Sequence, residues 1–72
     1  MQVLKKEKPY LSVVVPFFNE EESIEQLWAT LKGSLDDVGQ PYEVIFVDDG
    51  STDQTRDIMR RLATENVELR VI

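Results

Sequence analysis

The first nine residues, Met1–Pro9, are mostly polar and charged and read as a leader. At Tyr10 the chain turns apolar without alternation, "YLSVVVPFF". Such a continuous run is what a strand covered on both faces carries, and Pro16 is expected to end it because proline cannot donate to a ladder. In "NEEESIEQLWATLKGSLDDVG" the apolar positions are Ile24, Leu27, Trp28, Leu31, Leu35 and Val38. Steps of three and four put them on one helical stripe. Asn19 with Glu22 three residues on predicts a capping box, and acids in the first turn suit the helix dipole. Gly39 and Pro41 predict the stop. "YEVIFV" then reads as a second buried strand, and "STDQTRDIMRRLATEN" as a second helix with Ile58, Met59, Leu62 and Ala63 on one face. Ser51 or Thr52 would cap that helix and Asn66 would end it. In "VELRVI", Val67, Leu69 and Val71 alternate with Glu68 and Arg70, which predicts a third strand with one wetter side.

Strands alternating with helices of these lengths predict an α/β fold with parallel strands joined by right-handed crossovers. If sequential neighbours pair, the three strands lie in the order 3-2-1, half of a doubly wound domain. The expected organisation is a leader over residues 1–9 and one β-α-β-α-β unit over residues 10–72. With no fourth strand in view, "LSVVV" would form an uncovered apolar edge. The unit is therefore expected to be a fragment and to self-associate through that edge.

Composition narrows the chemistry. The 72 residues include no cysteine and no histidine, which removes disulfides, thiolate chemistry and nearly every zinc site. A secreted scaffold of this size would be expected to carry disulfides, so a cytoplasmic setting is expected. The lysines near the start precede no apolar signal core, and no apolar run approaches the roughly 18 residues of a membrane span. Fourteen acidic against eight basic residues give a net charge of −6. The only basic clusters, Lys5-Lys6-Glu7-Lys8 and Arg60-Arg61, are short and mixed with acids, so nucleic acid is not the expected partner.

In open parallel sheets ligands bind at the carboxyl ends of the strands. "PFFNEEE" and "DDGSTD" both fall there, side by side if their strands are neighbours. Asp48 and Asp49 are adjacent carboxylates with nothing basic close by in sequence. Asp49 could accept hydrogen bonds from paired N–H groups, such as those of a uracil or guanine edge, because a carboxylate is purely an acceptor. Phe17 or Phe18 could pack against that base. The plain reading stands beside this one: Asp, Gly, Ser and Thr are also ordinary turn and cap residues. Asp53 then reads as a first-turn helix acid, Ser51 and Thr52 as caps, Glu21 and Glu22 as solvated, and Trp28 as core.

"LSVVVPFFNEEESI" followed by "YEVIFVDDGSTDQT" resembles the opening of family 2 glycosyltransferases, whose inverting GT-A enzymes share P-x-Y-N-E and V-D-D-G-S-x-D segments. The similarity spans Leu11 to Ile72 and is greatest to the branch that moves a sugar from a nucleotide donor to a polyprenyl or dolichyl phosphate. It implies a GT-A, Rossmann-like nucleotide-binding half, a UDP- or GDP-sugar donor, and a lipid-phosphate or glycan acceptor. Pro16, Phe18 and Glu20 would line the nucleotide from the first loop. Val47 and Asp49 would line it from the second, Asp49 taking the base N–H, while Asp48 supports the turn by bonding backbone amides. Phe18 departs from the family's usual tyrosine, keeping the ring and losing a hydroxyl. The D-x-D segment that holds Mg²⁺ or Mn²⁺ and the catalytic base belong to later parts of such enzymes. The resemblance therefore implies no catalytic or metal-ligating residue within these 72, and no activity for them alone. The whole enzyme would sit in the cytoplasm or at the cytoplasmic face of a membrane. "VIFVDDGSTDQT" also resembles phospho-receiver signalling modules, whose paired aspartates hold Mg²⁺. Receivers place that pair near the domain start, whereas here a full strand and helix precede it.

Overall fold

A computed structural model describes residues 2–6 and 10–72. The elements run β1 (Gln2–Lys6), β2 (Tyr10–Phe17), α1 (Ile24–Val38), β3 (Tyr42–Asp48), α2 (Thr55–Glu65) and β4 (Leu69–Val71). They form one sheet in the order β1-β2-β3-β4. The parallel pairs are as expected: β2 runs beside β3 with Val13 opposite Val44 and Val15 opposite Phe46, and β3 runs beside β4 with Val44 opposite Leu69.

The three-strand sheet and its order are corrected by β1. Part of the predicted leader is an antiparallel strand, with Val3 opposite Val13 and Leu4 opposite Ser12. The edge of β2, expected to be bare, is therefore paired. A strand edge carries unpaired amides and carbonyls, and a neighbouring segment in extended conformation satisfies them even when its own side chains are largely polar. Gln2 and Val3 remain exposed.

Alternation sorts the sheet into two faces. Val13, Val15, Phe17, Val44, Phe46 and Leu69 point to one, where they meet Ile24, Trp28 and Leu35 of α1 and Met59 and Leu62 of α2 in a single buried cluster. Phe46 lies at its centre, fully buried, edge-on to Phe17 at 4.7 Å and to Trp28 at 5.8 Å. Each such side chain withdrawn from water contributes about 1.5–3 kcal/mol. The second face carries half-buried Val14, Ile45 and Val47. The apolar runs had predicted cover on both faces, but both helices join the cluster on the first.

Local expectations hold at the helix ends and fail at the starts. Gly39 takes a left-handed φ of 74° and donates to the Asp36 carbonyl, and Asn66 closes α2 with its amide on the Leu62 carbonyl at 2.9 Å. The capping box does not form: α1 begins at Ile24, five residues beyond Asn19. Likewise α2 begins at Thr55, so neither Ser51 nor Thr52 caps it. Pro16 does not end β2, which runs on through Phe17. Val67 lies outside β4 and is exposed.

Candidate functional site

The parallel register brings the two loops together. At the carboxyl end of the sheet Pro16 lies opposite Val47 and Phe17 opposite Asp48, and the Asp49 amide donates to the Phe17 carbonyl at 2.8 Å. Gly50 then turns the chain with φ 86°, a conformation costly for any residue with a Cβ. Pro16, Phe18, Glu20 and Asp49 are exposed there and Val47 is half-buried. Phe18 exposes 57% of its surface, a large apolar ring left in water at the end of a buried strand. The Glu20 carboxylate accepts a hydrogen bond from the Ser23 hydroxyl at 2.9 Å.

The doubled aspartate divides into two environments. The Asp48 side chain is 6% exposed and pairs with Arg56, whose Nε and Nη2 reach Oδ2 at 3.1 and 2.8 Å. Its Oδ1 accepts the Ser51 amide at 3.2 Å. The Ser51 hydroxyl, the Arg56 guanidinium and the Ser51 amide hold the Asp48 carboxyl down to about 2, against burial, which pushes it up. The bond to a backbone amide is the one the resemblance implied; the arginine is not. The sequence reading looked for a base within a few residues of the pair. Arg56 is eight residues on, where the first turn of α2 folds back over the end of β3. Asp49 is exposed, and its carboxylate meets no partner among the described residues.

Asn19, Ser51, Thr52, Asp53 and Thr55 lace one loop to the other. The Asn19 amide donates to the Ser51 hydroxyl at 3.0 Å, and the Asn19 side-chain carbonyl accepts the Thr52 amide at 2.8 Å. The Glu20 amide donates to the Thr55 hydroxyl at 2.8 Å, and the Glu21 amide to Asp53 Oδ2 at 3.3 Å. Asp53 Oδ1 accepts both the Thr55 amide at 2.9 Å and the Thr55 hydroxyl. Burial pushes the Asp53 carboxyl up, but the Thr55 hydroxyl and amide and the Glu21 amide outweigh it and hold it below its usual range. Sequence reasoning assigned Asn19, Ser51 and Thr52 to caps and Asp53 to the first turn of a helix, and did not single out Thr55. Their sequence signal is only that each is a short polar side chain at a strand end; the partner comes from the other loop.

Two cavities flank this end of the sheet. One of about 380 Å³ is lined by Asp48, Arg56, Arg60, Val71 and Ile72. The other, about 400 Å³, is lined by Asn19, Glu20, Glu21, Glu22, Ser23 and Asp53. Phe18, Val47 and Asp49 belong to neither and lie on the open rim at the strand ends. Among the described residues no three carboxylates are grouped as ligands for a metal ion, and no helix is long and apolar enough to cross a membrane.

The family model described as Glycosyl transferase family 2 matches residues 12–72. The chain is also similar to undecaprenyl-phosphate 4-deoxy-4-formamido-L-arabinose transferases. It is 39% identical to that of Edwardsiella ictaluri over 54 residues, 75% of this chain and 17% of that protein. With that of Serratia proteamaculans it shares 40% over 55 residues, 76% of this chain and 17% of that protein. With the uncharacterized glycosyltransferase YkcC of Bacillus subtilis it shares 36% over 61 residues, 85% of this chain and 19% of that protein. The chain thus spans under a fifth of the length of these relatives.

Proposed function

The chain belongs to glycosyl transferase family 2, and from that premise we propose that it is the nucleotide-sugar-binding part of an enzyme that moves a sugar from a UDP- or GDP-linked donor to a polyprenyl phosphate. The observation that carries the reading is that two exposed residues, Phe18 and an Asp49 whose carboxylate has no partner among the described residues, follow the ends of two adjacent parallel strands. In this reading Asp49 accepts an N–H from the edge of the base while Phe18 stacks on its face. Pro16 and Val47 supply the apolar floor, and Glu20 borders the slot from the first loop. Asp48 has another task, since its partners are Arg56 and Ser51. The acceptor class follows from the relatives, which are named undecaprenyl-phosphate 4-deoxy-4-formamido-L-arabinose transferases. A lipid-phosphate acceptor would place the whole enzyme at a membrane surface, which we propose is the cytoplasmic face.

The family's divalent cation does not fit the residues present. Asp48 has one oxygen on Arg56 and the other on the Ser51 amide, and both Asp53 oxygens are taken by Thr55 and Glu21. A Mg²⁺ site on the paired aspartates, as in a receiver module, meets the engaged oxygens of Asp48 and is left with Asp49 alone. Without a cation a diphosphate meets Glu20, Asp49 and Asp53 as like charges, so affinity for an intact donor is expected to be weak. Calorimetric titration of the chain with UDP and GDP tests the reading. Asp49→Ala should weaken binding about 10- to 150-fold, the range for a hydrogen bond to a charged acceptor. Unchanged affinity in Asp49→Ala would remove the proposed base contact.

A further inference from the structure

Thr55 is fully buried, yet its hydroxyl belongs neither to the apolar cluster nor to a bond within its own helix. It accepts the Glu20 amide from the opposite loop and donates to the Asp53 carboxylate. Asp53 therefore orients the hydroxyl so that its lone pair faces Glu20, and takes the Glu21 amide with its second oxygen. Asn19 completes the tie from the other side, donating its amide to Ser51 and accepting the Thr52 amide. It does so at φ 51°, a left-handed backbone that asparagine tolerates better than most residues. Ser51, Thr52 and Asp53 of the second loop, Thr55 at the start of α2 and three positions of the first loop are thus fixed relative to each other without any ligand.

Those loops carry the two walls of the nucleotide slot: Phe18 and Glu20 on one side, Asp49 on the other. A flexible pair of walls would have to be ordered at the moment of binding, and that ordering weakens affinity. Resting on the nucleotide-binding reading above, we propose that Asn19, Asp53 and Thr55 are positioning residues, a hydrogen-bonded latch that sets the separation of the Phe18 and Asp49 walls before the nucleotide arrives. The latch touches no ligand and works entirely through the loop backbones. It also accounts for the run of short polar residues between Asp49 and the start of α2. Ser51, Thr52, Asp53 and Thr55 each supply a group to the first loop or to a residue that reaches it.

The discriminating pair is Thr55→Val, which keeps the shape and removes the hydroxyl, and Thr55→Ser, which keeps the hydroxyl. Amide hydrogen exchange on the 72-residue chain, read residue by residue, comes first. Thr55→Val should speed exchange at Asn19, Glu20 and Glu21 about fivefold, the net worth of one hydrogen bond, while Val44 and Phe46 in the sheet stay protected. Its affinity for UDP or GDP should fall by about the same factor, and Thr55→Ser should restore both. Asn19→Gly keeps the left-handed backbone and deletes the side-chain acceptor, and should loosen the same amides. Equal acceleration at loop and sheet amides would overturn the proposal, since it would mean that Thr55 only stabilises α2. So would Thr55→Val binding nucleotide as the unmodified chain does. If the unmodified chain bound neither UDP nor GDP while the exchange pattern appeared as expected, the nucleotide reading would fall and the latch would be a structural tie alone.

Discussion

Two phenylalanines separate the role of the fold from the role of the site. Phe46 is fully buried, with its ring centre 4.7 Å from Phe17 at 72° and 5.8 Å from Trp28 at 89°. Phe46→Leu removes both edge-to-face pairs, about 0.5–1.5 kcal/mol each. The smaller side chain also leaves a partly unfilled space, about 1 kcal/mol more. The expected loss is therefore about 2–4 kcal/mol, against roughly 4–11 kcal/mol for the whole of a domain this small. The variant should unfold at much lower urea than the unmodified chain. Phe18, exposed over 57% of its surface, should behave in the opposite way. Phe18→Ala should change stability by no more than about 0.5 kcal/mol. It should weaken nucleotide binding by about 5- to 150-fold, the range for one lost base–aromatic stack. Trp28 is the sole tryptophan and is buried against Phe46, so its fluorescence during urea unfolding reports on the cluster directly. Circular dichroism on the same samples checks that one transition is being followed. A Phe46→Leu midpoint equal to that of the unmodified chain, with the same urea slope, would refute the three-ring core. A Phe18→Ala as destabilising as Phe46→Leu would refute the assignment of Phe18 to the site.

The Asp48 carboxyl is lowered from 3.8 to about 2, so its contribution to stability is complete above its usual value and is lost as pH falls from there toward 2. Arg56→Met should flatten thermal stability against pH across that window, and identical slopes in the two proteins would show that the ion pair has no part in it. The 72-residue chain, supplied with UDP- or GDP-sugars, a polyprenyl phosphate and Mg²⁺ or Mn²⁺, is expected to transfer no sugar; metal-stimulated transfer would place the catalytic centre within these residues.

The parts of the fold legible in sequence are those written as periodicity. Ile24, Trp28 and Leu35 had to share a helix face wherever the helix was placed, and "YEVIFV" could hardly be anything but a covered strand. The parallel pairing followed from the alternation of elements, and with it the meeting of Pro16, Phe18, Asp48 and Asp49 at one end of the sheet. What escaped was decided by tertiary adjacency. Asn19 has the sequence context of a cap, but a short polar side chain bonds whichever amide lies nearest. Here that amide is Thr52, 33 residues away in the neighbouring loop. Asp53 reads as a dipole-favoured acid and in fact gathers donors from both loops. Arg56 was not singled out in the sequence; with α2 folded back over β3 it neutralises one of the two adjacent carboxylates. The adjacent pair is tolerable because Arg56 neutralises Asp48, and among the described residues only Asp49 is left without a partner.

The N-terminal strand changes what is expected of association. A bare β2 edge, "LSVVV", would invite pairing with another chain, but β1 occupies it from Gln2 to Lys6. The outer edge is now β1 itself, a five-residue strand that carries Lys5 and Lys6. Short edges bearing lysine discourage further strand addition. The opposite edge is β4, only three residues long, with Arg70 exposed. Edge-to-edge self-association should therefore depend on β1, and deleting residues 1–6 should release it. Sedimentation or light scattering over a dilution series would compare the full chain with the deletion. The full chain should stay monomeric over concentrations at which the deletion forms dimers or larger species. Val14→Lys, on the central stretch of the uncovered strand, should return the deletion toward monomer by placing a charge beside the new edge. A deletion as monomeric as the full chain would show that β1 protects nothing. A full chain that associates as strongly as the deletion would shift the contact to the sheet face bearing Val14, Ile45 and Val47, which neither helix covers.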